Sequence, residues 1–131
     1  MSNLSSQIGR GLLIVDHGTR STAANARLEA FATKIAKQRP DWRATHAHME
    51  LAEPNFEQAI DSLVESGASR ILVHLHFLGA GFHVRESIPQ LVLAARERHP
   101  QVEIETSTPI GDDPRLIEIV VDRMDAHEIA K

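Results

Sequence analysis

The sequence predicts an α/β protein: a four-stranded parallel sheet with helices on both faces, in the order βαβαβαβα. Three observations carry this. Short apolar runs alternate with stretches of helical periodicity, the connections between them are short, and Leu12-Leu13-Ile14-Val15 is apolar without alternation, as in a strand covered on both faces. Parallel neighbours need a crossover, and right-handed crossovers lay the helices against the sheet.

Taken in order, the first strand stops at His17 and Gly18, and Ser21 or Thr22 caps the helix that follows. From Ala23 to Lys37 the residues Ala24, Leu28, Phe31, Ala32 and Ile35 recur at helical spacing, and Pro40 ends the run. Trp42 to Met49 reads as the second strand, with Ala44, His46 and His48 on one face and Thr45, Ala47 and Met49 on the other. A second helix opens with Pro54 in its first turn. It buries Phe56, Ala59, Ile60, Leu63 and Val64, and stops at Gly67. Arg70 to Phe77 is the third strand, placing Leu72, His74 and His76 opposite Ile71, Val73, Leu75 and Phe77. Leu78 to His83 is expected as a flexible loop, and Pro89 in the first turn of the helix after it. In Val102 to Thr106, Glu103 and Glu105 alternate with apolar residues, which marks an edge strand. The last helix runs from Arg115 to about Glu128 with Leu116, Ile119, Val120 and Met124 inward.

A chain of 131 residues makes one domain, expected over residues 10–131 after a polar, flexible segment at 1–9. The chain has no cysteine, which excludes disulfides and thiolate metal sites. Its apolar runs are too short for a signal-peptide core or a membrane span, so a cytoplasmic protein without membrane partners is expected. A formal charge of −4 argues against nucleic acid as a partner. Histidine stands out, eight residues beside four Phe, one Trp and no Tyr.

Topology turns this into chemistry. His17 follows strand one, Glu50 follows strand two and His83 lies after strand three, so all three are expected on the carboxyl edge of the sheet, where open α/β folds bind ligands. Two imidazoles and a carboxylate on one rim suit a divalent ion such as cobalt, nickel, iron or zinc, with positions left open for substrate. Taken singly, each also reads as an ordinary loop residue.

Asp16-His17-Gly18-Thr19-Arg20, then Met49-Glu50-Leu51-Ala52-Glu53-Pro54, then Phe77 through Pro89 with Gly79, Gly81 and His83, resemble the small CbiX-type sirohydrochlorin chelatases, class II chelatases with a ferrochelatase-like fold. The resemblance runs from Gly11 to the last helix. It implies a lyase that inserts cobalt(II), or iron(II) with nickel as a further possibility, into sirohydrochlorin in cobalamin or sirohaem synthesis, with the metal as substrate and no organic cofactor. It also implies a homodimer whose two lobes enclose the macrocycle, with His17, His83 and Glu50 as metal ligands and catalytic groups. For a substrate rich in carboxylates, Arg20 and Arg85 are candidate anchors, and Gly79 and Gly81 let the loop approach a flat ring. Solvent-facing arginines and plain loop flexibility explain the same residues. The chain departs from the family at Ser87, where an acid is usual, and at His74 and His76 in a strand that is usually apolar. His46 with His48, and His74 with His76, read as packed or dimer-facing pairs, with an added metal site as the alternative; His99 and His127 read as helix-end charges. The competing function is a binding protein that delivers nickel, cobalt or a tetrapyrrole without turnover.

Overall fold

Strands β1 (Arg10–Asp16), β2 (Arg43–His48), β3 (Arg70–Leu75) and β4 (Glu103–Thr106) pair in parallel in the order β2-β1-β3-β4. The computed structural model describes residues 9–79 and 81–128, except the His83 side chain. Residues 1–8 of the expected flexible segment, Ala80 in the glycine loop and 129–131 at the end of the expected domain lie outside the described residues. Among the described residues four α-helices complete the fold: α1 (Thr22–Gln38), α2 (Phe56–Glu65), α3 (Phe82–Arg98) and α4 (Arg115–Ala126).

The expected α/β architecture is therefore present, and β4 lies at the sheet edge with Glu103 and Glu105 exposed. One face of the sheet carries the main core. Leu13, Val15, Ala47, Val73 and Ile104 there meet Ile60 and Leu63 of α2 and Ile88 and Val92 of α3. The opposite face holds a small cluster in which Ile14 packs under Leu28 and Ala32 of α1. Period-2 alternation in each strand assigns its residues to one face or the other.

Local chemistry sets the helix ends. The Ser21 hydroxyl accepts from the Ala24 N–H at 3.2 Å and starts α1. Asn55 and Gln58 form a reciprocal capping box, each side chain accepting from the other's backbone N–H at 2.8 Å. Pro54 thus precedes the cap and is not in the first turn of α2 as expected. Gly67 takes φ +104° just past the end of α2, the left-handed stop that glycine permits.

Two further expectations are corrected. Helix α3 already begins at Phe82, so Phe82 and His83 belong to its first turn and not to a loop, and Pro89 falls in the helix interior. The start is capped by Gly81, which offers no side-chain oxygen, so the usual sequence signal is missing. Pro89 removes the N–H that would reach the Arg85 carbonyl. In α4 no residue is buried: Ile119, Val120 and Met124, expected inward, are 45%, 58% and 65% exposed, beside Ile117 at 68%. Helical periodicity shows that an apolar stripe exists but not what covers it.

Candidate active site

Connections from the carboxyl ends of β1 and β3 leave in opposite directions, α1 towards β2 and α3 towards β4, and a crevice opens between them. The residue that follows β1 is His17. It is exposed, and its ring meets that of buried Phe77 edge-on, with centroids 4.6 Å apart. The Phe77 contact limits the directions that the imidazole can take.

Glu50 is brought beside His17 by backbone pairing. The Met49 N–H donates to the Asp16 carbonyl at 2.8 Å and the Glu50 N–H to the His17 carbonyl at 3.1 Å, which prolongs the β1–β2 ladder past both strands. Gly18 makes this possible. It adopts φ +86°, and a Cβ there would lie 2.0 Å from the Glu50 carbonyl oxygen and 2.9 Å from the His48 Cβ. The next residue, Thr19, is clamped by Asn25 of α1, whose side chain accepts from the Thr19 N–H at 3.0 Å and donates to its carbonyl at 2.8 Å.

Beneath this junction lies a buried polar pair. His48 is 1% exposed, and its Nδ1 is 2.6 Å from Asp16 Oδ1 across the β1–β2 register. A buried imidazole so paired is satisfied, and the pair ties the carboxyl ends of the two strands that carry His17 and Glu50.

His17 and Glu50 lie on the rim of a cleft of about 590 Å³. Met49, Phe82, Val84 and Leu91 give it an apolar wall, and Ser87 and Gln90 add polar groups from α3. Gly81 lines the cleft too; Gly79, Arg20 and Arg85 do not. Arg20 is exposed on the α1 side of the edge, and Arg85 borders a separate hollow with Pro109 and Asp112. A Cβ at Gly79 or Gly81 would meet nothing within 4 Å, so packing within the lobe requires neither glycine. His83 is in the first turn of α3, the segment that forms one side of the cleft, and its side chain lies outside the described residues.

Several contributors were not legible in the sequence. Asp16 and His48 meet only through strand register, and Asn25 only through the start of α1. Gly111 is a third case: its N–H donates to the Phe77 carbonyl at 2.9 Å, and a Cβ there would lie 1.6 Å from the Leu78 carbonyl oxygen. It packs the segment after β4 against the segment that leads to the glycines. Isolated glycines give no hint of which neighbour needs the space.

Among the described residues no three His, Asp or Glu side chains converge on one point. His17 and Glu50 therefore offer an imidazole and a carboxylate on an open rim, and a ligand or solvent must supply further donors to an ion held there.

A parallel α/β lobe with its cleft at the switch point of the sheet, and an imidazole and a carboxylate on the rim, is the class that fold and site define. The chain belongs to the CbiX family, whose profile matches residues 11–127. It is 36% identical over 115 residues to the chloroplastic sirohydrochlorin ferrochelatase of Arabidopsis thaliana, covering 87% of this chain and 51% of that one. It is 29% identical to the sirohydrochlorin cobaltochelatase of Methanocaldococcus jannaschii, covering 86% of this chain and 95% of that one. The structure of SirB from Bacillus subtilis with Fe3+ superposes with a TM-score of 0.81 at 27% identity, over 92% of this chain and 48% of that chain. The chain thus spans about half the length of the plant and Bacillus proteins and nearly all of the archaeal one.

Proposed function

We propose that this protein inserts a divalent metal, cobalt(II) or iron(II), into sirohydrochlorin. The observation that carries the reading is the placing of His17 and Glu50 side by side on the rim of an apolar-walled cleft at the sheet's switch point. The names of its relatives, sirohydrochlorin ferrochelatase and cobaltochelatase, supply the substrate.

The chemistry follows from the donor set. Insertion forms bonds from the metal to the macrocycle nitrogens and releases two pyrrole N–H protons. His17 holds the incoming ion through a ring nitrogen and, once the ion is handed over, accepts one of these protons, since imidazole exchanges protons near neutral pH. Glu50 offsets the charge of the dication and passes protons to solvent. Few protein ligands mean loose binding, which a substrate metal requires and a structural one does not. His83 is assigned to the opposite wall as a further metal-binding and catalytic group. Met49, Phe82 and Leu91 offer the apolar surface that a flat macrocycle buries. Arg20 and Arg85 are assigned to its carboxylate-bearing margin, and Gly79 and Gly81 to the close approach of their loop to the ring.

A second copy of the chain is the proposed second wall. Two features support this: relatives of twice the length, and the exposed Ile117, Val120 and Met124 of α4. Light scattering should report a dimer, and Ile117→Asp with Val120→Asp should convert it to a monomer; a monomeric wild-type chain contradicts this part of the reading.

The second reading is a carrier without turnover, favoured by the four histidines on the α1 face of the sheet. One assay separates the two. Protein, excess sirohydrochlorin and cobalt(II) are mixed and the macrocycle absorption is followed. Many equivalents converted per chain, at a rate above the protein-free reaction, establish the chelatase. A change that stops at one equivalent establishes the carrier.

A further inference from the structure

Two His-X-His triplets, His46-Ala47-His48 on β2 and His74-Leu75-His76 at the end of β3, lie on either side of β1. Their register is matched, since His46 and His74 both lie opposite Ile14. All four imidazoles therefore occupy the α1 face, away from the cleft, whose apolar wall belongs to the α2 and α3 face. The two pairs are used differently. His48 is committed to Asp16, and the His46 and His48 ring centroids are 5.5 Å apart. In the other pair, His74 Nε2 is 3.2 Å from His76 Nδ1, and both residues are partly exposed.

We propose that His74 Nε2 and His76 Nδ1 form a bidentate site for a divalent transition-metal ion of the imidazole-preferring kind, separate from the cleft. With metal–nitrogen bonds of about 2.0–2.1 Å, two neighbouring ligands of a tetrahedral or octahedral ion have nitrogens roughly 2.9–3.4 Å apart, and the pair falls within that span. As a hydrogen bond, 3.2 Å is at the long limit. Without metal, one ring nitrogen donates to the other. With metal, that proton moves to the far nitrogen of its own ring, so both lone pairs turn to the ion and no proton is lost.

Two further features fit an ion. Burial, and then the neighbouring His76, holds His74 below the ordinary imidazole pKa. The Phe31 ring lies against His76 with centroids 4.7 Å apart and restrains its orientation. No third His, Asp or Glu among the described residues joins the pair, so water completes the coordination and the ion exchanges readily. Such a site holds an ion near the sheet and lets it go. It stands whether or not the cleft inserts metal.

The test uses cobalt(II) chloride alone, without macrocycle. In a full-length chain carrying His17→Ala, Glu50→Gln and His83→Ala, calorimetric titration should still find one bound equivalent. Adding His74→Gln and His76→Gln should remove it, and His74→Gln alone should weaken it by about tenfold, one 1.4 kcal/mol step. Independently, cobalt(II) added to the wild-type chain should broaden the proton resonances of the His74 and His76 rings, a readout that needs no substitution. The proposal is overturned if the cleft variant binds no cobalt, if the equivalent survives loss of both imidazoles, or if wild-type broadening spares these two rings. The turnover assay is unaffected by any of these results, so the two claims fail separately.

Discussion

The two faces of the sheet are made by the same strands and do different work. Towards α2 and α3, eighteen buried residues form one continuous apolar cluster. Towards α1, the apolar cluster among the described residues is smaller, Ile14, Leu28 and Ala32 with Leu12, Phe31 and Ile35 partly buried against it, and that face also carries Asp16, buried His48, His46, His74 and His76. Helix α4 carries an apolar stripe but buries none of its residues. Stability is thus concentrated on one side. The other side, together with the carboxyl edge, carries the titratable groups, which a dry core cannot accommodate without cost.

The largest expected effect breaks the apolar face. Ile60 is fully buried, and Ile60→Ala should cost about 3 kcal/mol in urea unfolding, from lost burial and the cavity left behind. His74→Gln on the opposite face should cost less than about 1 kcal/mol, because the side chain is only partly buried and glutamine keeps a polar group. Equal costs would dissolve the contrast.

Next comes the junction between the faces. Gly18→Ala should destabilise by about 2 kcal/mol, since it strains a left-handed residue and drives a Cβ into the Glu50 carbonyl. It should also slow metal insertion by displacing Glu50. A variant that melts like the wild type and keeps full activity would remove Gly18 from the account.

The smallest effect is a pH dependence. Burial is the chief cause holding His46 and His74 below 6.5, aided by the neighbouring imidazole at each; Glu29 and Asp16 partly offset this at His46. The unfolded chain therefore takes up protons that the folded chain refuses. Stability from these groups is complete above pH 6.5 and declines as the pH falls below it, through the lowered folded values. Thermal melting should be flat from pH 8 to about 6.5 and then drop by a few degrees towards pH 5. Replacing both residues by glutamine should flatten this drop; an unchanged drop would assign it elsewhere. Asp61 acts in a separate, more acid window, because its hydrogen bonds to His99 and Arg98 hold it below 3.8.

Much of this contrast was legible in the sequence. Alternation in Arg70 to Phe77 assigned His74 and His76 to one face, and the apolar run at Leu12 to Val15 identified the central strand. The carboxyl-edge placing of His17 and Glu50 followed from strand order alone. What stayed hidden depended on contacts between distant residues. The Asp16–His48 pair requires the β1–β2 register, and the closeness of Gly111 to Leu78 requires two loops to meet. The early start of α3 was missed because glycine caps it without a side-chain signal, and the exposure of α4 because amphipathicity does not name a partner. The Asn55–Gln58 capping box, by contrast, is legible as an Asn three residues before a Gln, ahead of the apolar stripe of α2.

The direct measurement is the rate of cobalt(II) insertion into sirohydrochlorin by the His17→Ala chain at equal folded concentration. The exposed side chain contributes little to packing, so the variant should melt within a few degrees of the wild type and insert metal about a hundredfold more slowly. Wild-type turnover by that variant would contradict the assignment of the β1 edge as the centre of the reaction.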